Sequence, residues 1–86
     1  MDWEIIAAEM THSQEEGYLG KVCFTLKGHR SHYEITLQSG KGKEWSYSLS
    51  FAQESGSEQE IEAAESRLEE DDELFDALID AVKAKL

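Results

Sequence analysis

Trp45-Ser46-Tyr47-Ser48-Leu49-Ser50-Phe51 is the stretch that decides the fold. Four large apolar side chains alternate with three serines without exception. Only an extended chain sorts such a pattern, sending one set to a buried face and the other to a polar face. The segment before it, Tyr33-Glu34-Ile35-Thr36-Leu37-Gln38, alternates in the same way, with Tyr33, Ile35 and Leu37 inward. Ser39-Gly40-Lys41-Gly42-Lys43 joins the two and supplies the glycines of a hairpin loop. Further back, Gly20 to Leu26 places Val22, Phe24 and Leu26 inward and Lys21, Cys23 and Thr25 outward. Lys27-Gly28-His29-Arg30-Ser31 is again a short, hairpin-like link. Three strands with short links predict an antiparallel meander.

Trp3-Glu4-Ile5-Ile6-Ala7-Ala8-Glu9-Met10 reads as a fourth strand running toward a turn at Gln14-Glu15-Glu16-Gly17. The same residues also permit a helix, with Trp3, Ile6, Ala7 and Met10 on one face.

Past Phe51 the period changes. Gln53 to Gln59 is a polar Ser/Gly loop, and Ser57 with Glu60 three residues later predicts a capping box that starts a helix. Ile61, Ala64, Leu68, Phe75, Leu78, Val82 and Leu86 form an apolar stripe, with Ile79 at its margin. A straight helix would carry Asp71 onto the buried face. An unpaired buried carboxylate costs more than a helix break, so a break or kink is expected near Glu70–Asp71, with Asp71 or Asp72 capping a second helix. The predicted class is α+β: a three- or four-stranded antiparallel meander with a C-terminal helical segment, two helices or one kinked helix, on one face. The whole of 1–86 forms one domain, with 1–51 as the sheet layer and 57–86 as an acidic helical layer, because neither half buries enough area alone.

The chain has 86 residues and a formal charge of −11. Residues 1–51 hold seven acids and five bases, a net −2, whereas 52–86 hold twelve acids and three bases, a net −9. Phosphate binding needs clustered Lys and Arg, so direct nucleic-acid binding is not expected. One Cys and no Pro exclude a disulfide scaffold and a four-cysteine zinc site. The longest apolar run is Ile5–Ala8, far too short to span a bilayer, and the acidic start is unlike a signal region. A cytoplasmic protein with no membrane partner is expected.

Along the helical segment Glu58, Glu62, Glu65, Glu69, Asp72, Asp76 and Asp80 recur at spacings of 4-3-4-3-4-4, which stacks them beside the apolar stripe. Like charges at such spacings repel mildly. The plain interpretation is a solvated face, partly paired with sheet lysines such as Lys21 or Lys43. The functional expectation is a small non-catalytic interaction module that docks a basic protein partner through Glu62, Glu65, Glu69, Asp72, Asp76 and Asp80. A nucleic-acid mimic is a sharper variant of the same idea. A third possibility is a monomer or homodimer that associates through the Ser/Thr sheet face, where Lys21, Cys23, Thr25, Glu34, Thr36, Gln38, Ser46, Ser48 and Ser50 lie.

The other chemical candidates are weaker. Glu69-Glu70-Asp71-Asp72-Glu73 lacks the alternating ligands and glycine of a calcium loop. His29 and His32 at a hairpin tip, with Cys23 down the strand, suggest at most a small enzyme or ligand site, and exposed histidines explain them equally well. The expected outward neighbours of Cys23, namely Thr25, Thr36 and Ser48, include no base. Gly40-Lys41-Gly42-Lys43 lacks the length and following helix of a phosphate loop. No metal, no cofactor and no enzymatic activity are expected.

Were residues 3–10 helical, the order helix, three strands and helix would resemble that of the double-stranded RNA-binding domain. That family carries lysines at the start of its last helix, where this chain has Glu58 and Glu60. The resemblance extends to element order alone and transfers no functional residue.

Overall fold

Four strands and two helices follow one another in the computed structural model, which describes residues 2–53 and 56–85. The strands are β1 (Trp3–Ser13), β2 (Gly17–Leu26), β3 (His32–Ser39) and β4 (Ser46–Phe51). They pair antiparallel in the order β1-β2-β3-β4, so the fold is an α+β meander. Residues 3–10 are strand, which removes the double-stranded RNA-binding element order. The turn at Gln14–Glu16 closes on Gly17, whose φ of 81° lies in the left-handed region that only glycine enters freely.

The register puts Val22, Phe24 and Leu26 of β2 beside Tyr33, Ile35 and Leu37 of β3 on one face, all buried. Their neighbours on the outer strands are less covered: Trp3, Ile5, Ala8 and Met10 of β1, and Tyr47, Leu49 and Phe51 of β4, are half-buried. Those β4 positions lie on the inner face, as their alternation requires. They form the rim of the core, because the two central strands take the middle of a four-stranded sheet.

Helices α1 (Glu58–Glu70) and α2 (Asp72–Lys83) cover that face, with α2 over β1 and β2 and α1 against β4. The expected break falls at Asp71, which is extended (φ −107°, ψ 92°) and whose side chain accepts from the Leu74 N–H at 3.2 Å. Asp72 and Glu73 then lie in the first turn of α2 and Lys83 in its last, each where the helix dipole favours its charge. The break also resets the helical phase. Leu74 is fully buried and Phe75 only half-buried, which corrects the stripe drawn through Phe75. Ala64, Leu68, Leu78, Ile79 and Val82 are buried as the spacing requires, and Leu86 lies outside the described residues, as do Glu54 and Ser55 of the loop before α1.

One contact sets how closely α2 approaches the sheet. A Cβ on Gly20 would stand 2.7 Å from Cγ1 of Val82, a branched and fully buried side chain with nowhere to move. Adding a side chain to a strand glycine gains at most about 1 kcal/mol through the unfolded chain, and overpacking costs about 1–3 kcal/mol, so the clash decides the sign. Gly20→Ala is expected to lower stability in urea by about 1–2 kcal/mol, and its cost together with Val82→Ala to be less than the sum of the two single costs.

Among the described residues, no helix is long and apolar enough to cross a membrane. The second sheet face has no helix over it and carries Lys21, Cys23, Thr25, Glu34, Thr36, Gln38, Ser46, Ser48 and Ser50, together with Glu9 and Ala7 from β1. A bulge at Ile5–Ala7 turns Ile6 outward, and at 52% it is the large hydrophobic residue most exposed to solvent.

Candidate functional site

The strands alternate in direction, so the start of β1, the end of β2, the start of β3 and the end of β4 share one end of the sheet. Helix α1 is tied to that end twice. Near its start, Glu60 reaches back to the β2–β3 turn, where its carboxylate accepts from the N–H groups of Arg30 (3.1 Å) and Ser31 (3.2 Å) and from the Ser31 hydroxyl (3.0 Å). Ser57 makes no side-chain cap bond. The expected capping box is therefore not formed: Glu60 finds two unpaired turn amides across the chain and satisfies those instead of its own helix start. Near the end of α1, Arg67 donates to Asp2 (2.6 Å) and to Asp71 (3.1 Å), and its guanidinium lies 5.8 Å from the centroid of the Trp3 ring. One side chain thus joins β1, α1 and the cap of α2.

These ties perturb titration in the expected directions. The hydrogen bond from Arg67 leads in lowering Asp2, and the Arg30 amide leads in lowering Glu60, with burial opposing both. Arg67 is raised, first by its bond to Asp2. A carboxylate with a depressed folded pKa contributes stability that is complete above its unfolded value and lost as the pH falls through the folded one. Glu60→Gln is accordingly expected to unfold at lower urea than the parent at neutral pH. The two curves should converge only in acid below the ordinary glutamate range, as the pH falls through the depressed folded value and the parent carboxyl is protonated as well. A gap that persists in acid would assign the effect to packing.

The ridge carboxylates are placed differently. Glu62, Glu65 and Glu69 on α1, and Asp72, Asp76 and Asp80 on α2, are all exposed, as is Glu58. Among the described residues the ion pairs are those of Arg67 with Asp2 and Asp71, and none joins a ridge acid to Lys21, Lys27, Lys41 or Lys43. The ridge is two segments rather than one line, because the chain turns at Asp71. The α1 segment lies beside β4. Tyr47 packs its ring against Phe75 of α2 at a centroid distance of 5.7 Å. Its phenol is pushed up, by burial first and then by the carboxylates of Glu69 and Glu65 on α1. Half-buried aromatic surface and unpaired acid thus lie side by side along the β4 rim.

The Cys23, His29 and His32 group does not converge. Cys23 lies on the open face, opposite Glu34 and Ala7 rather than the expected Thr36 and Ser48. Burial, then Glu34 and Glu9, push its thiol up, which disfavours the thiolate that a nucleophile or metal ligand requires. His29, expected to be exposed, is half-buried, and its Nδ1 shares a hydrogen bond of 2.7 Å with the Tyr33 hydroxyl on the helix-covered side. His32 is exposed and pairs across strands with Thr25. Among the described residues, no group of three or more His, Cys, Asp or Glu side chains is arranged to hold a metal ion. A shallow polar depression lined by Arg30, Ser31, His32, Gln53, Gly56, Ser57 and Glu60 sits at the start of α1. Its best acceptor, Glu60, is already committed to the turn amides.

Comparison with protein-family models, curated proteins and solved structures finds no match to this chain.

Proposed function

We propose that this protein is a non-catalytic interaction module that docks a basic protein partner through the carboxylates of Glu62, Glu65, Glu69, Asp72, Asp76 and Asp80. The observation that carries this reading is the combination of exposure with the absence of ion partners for these six among the described residues. Charges already paired within the chain are neutralised before a partner arrives, whereas unpaired carboxylates keep their field. At a net −11, that field steers a positively charged surface inward and raises the association rate. Rim ion pairs then contribute little each, about 0.2–1 kcal/mol, so useful affinity requires several at once. The half-buried aromatic rim beside Glu65 and Glu69 adds apolar and cation–π contact for arginine or lysine stems.

The test is affinity capture from lysate with the intact chain, first at about 0.05 M and then at about 0.5 M salt, where screening lengths differ roughly threefold. A defined set of basic proteins retained at low salt and released at high salt is expected. Retention of no basic protein at low salt contradicts the reading.

A further inference from the structure

The two open edges of the sheet are not alike. An unpaired strand edge invites another chain to pair with it, and proteins usually blunt such edges with charge, proline or a bulge. Strand β1 is blunted by Glu4, Glu9 and the bulge at Ile5–Ala7. Strand β4, Ser-Tyr-Ser-Leu-Ser-Phe, has no charge, no proline and an unbroken register with β3. Its outward hydrogen-bonding groups follow from the ladder. The Ala52 N–H donates to the His32 carbonyl at 2.9 Å, so residues 32 and 52 form a bonded pair. Bonded and non-bonded pairs alternate, which assigns Ser50–Glu34, Ser48–Thr36 and Ser46–Gln38 to the bonded class. The N–H and C=O groups of Tyr47, Leu49 and Phe51 therefore point away from β3, into the open edge. The side chains of these same three residues are half-buried on the helix side.

The geometry points to the β4 edge as a strand-docking site that receives an extended, lysine- or arginine-rich segment of a partner protein in antiparallel register. The proposal rests on the docking reading above and specifies its mode. Added strands take main-chain hydrogen bonds for affinity and alternate side chains for selectivity. In antiparallel register, the segment residues bonded to Tyr47, Leu49 and Phe51 share their face, so their side chains enter the helix side beside Glu65, Glu69 and the Tyr47 ring. Basic residues at every second position fit there. Lys41 and Lys43 lie in the loop before β4, so the match is to the Tyr47–Phe51 stretch and not to the loop. A second copy of this chain is disfavoured as occupant. Two-fold pairing of β4 with β4 would set Glu65 and Glu69 of one copy beside those of the other, in chains of −11 each.

The probe is a labelled decapeptide alternating lysine and threonine, its binding to the intact chain read by fluorescence anisotropy at low salt. Two controls keep every charge: one is N-methylated at each lysine, the other at each threonine. The lysine-methylated peptide is expected to lose at least about tenfold in affinity, and the threonine-methylated one to stay within about twofold, because the bonded N–H groups belong to the lysines. Equal binding of all three would overturn the edge proposal and leave the acidic docking reading standing. Failure of the parent peptide to bind would overturn both. Sedimentation of the chain alone as a dimer at the assay concentration, converted to a monomer by Leu49→Pro, which removes an outward edge N–H, would overturn it by giving the edge to a second copy.

Discussion

Neutralising the ridge in one variant, with Glu62, Glu65 and Glu69 changed to Gln and Asp72, Asp76 and Asp80 to Asn, is expected to abolish capture of the basic partner. Six rim pairs at about 0.2–1 kcal/mol each sum to roughly 1–6 kcal/mol, a combined loss between about tenfold and ten-thousandfold in affinity. The fold should not suffer. None of the six side chains is buried, and among the described residues none joins an ion pair. Their removal also relieves like-charge neighbours at Glu65–Glu69, Asp72–Asp76 and Asp76–Asp80, which offsets the helix-dipole stabilisation that Asp72 gives up in the first turn of α2. The thermal midpoint is therefore expected to stay level or rise while binding disappears. That opposition separates a recognition surface from a structural one, because a variant that lost binding through unfolding would lose both.

The largest expected effect on stability lies under α2. Leu78 is fully buried and belongs to the cluster that α2 builds with Val22, Phe24, Ile35 and Leu37 of the central strands. Leu78→Ala removes transfer free energy and leaves a cavity that close-packed neighbours fill only in part, a cost of about 2–5 kcal/mol. A domain of this size has roughly 4–13 kcal/mol in all, so the variant should sit near its unfolding threshold at 37 °C. Urea unfolding followed by the fluorescence of Trp3 and Trp45, on the two outer margins of the sheet, measures it. Phe75→Ala provides the contrast: Phe75 is only half-buried, and its loss should cost clearly less. Equal costs at the two positions would contradict the phase that Asp71 imposes on α2.

The parts of this fold that were legible in the sequence are those set by local period. Alternation from Trp45 to Phe51 and from Tyr33 to Gln38 fixed the faces of β3 and β4, since a strand leaves its side chains no other arrangement. The helix break was legible because Asp71 on a buried face would cost more than a turn. What the break did to the helix after it was not. Spacing carried across an interruption preserves the count but not the rotation, and so Phe75 stood in for Leu74. Long-range partners were equally hidden. Glu60 serves amides 29 and 30 residues away, and Arg67 binds Asp2 across 65 residues. Neither pairing leaves a spacing signal. The same holds for Cys23, whose neighbours depend on register and whose Glu34 contact no single strand announces. The ridge acids were visible as a pattern, while their lack of partners needed the positions of all four sheet lysines.

Unpaired carboxylates on α1 and α2 make a definite claim about salt. Binding of the alternating lysine–threonine peptide, measured from about 0.02 to 0.3 M salt, tests it most directly, because screening acts on exposed charge and hardly on buried contacts. The expected result is an affinity that falls steadily with salt, with a markedly shallower fall for the Glu65→Gln, Glu69→Gln variant. An affinity that is flat across the range, or a fall of the same slope in both proteins, would contradict the account.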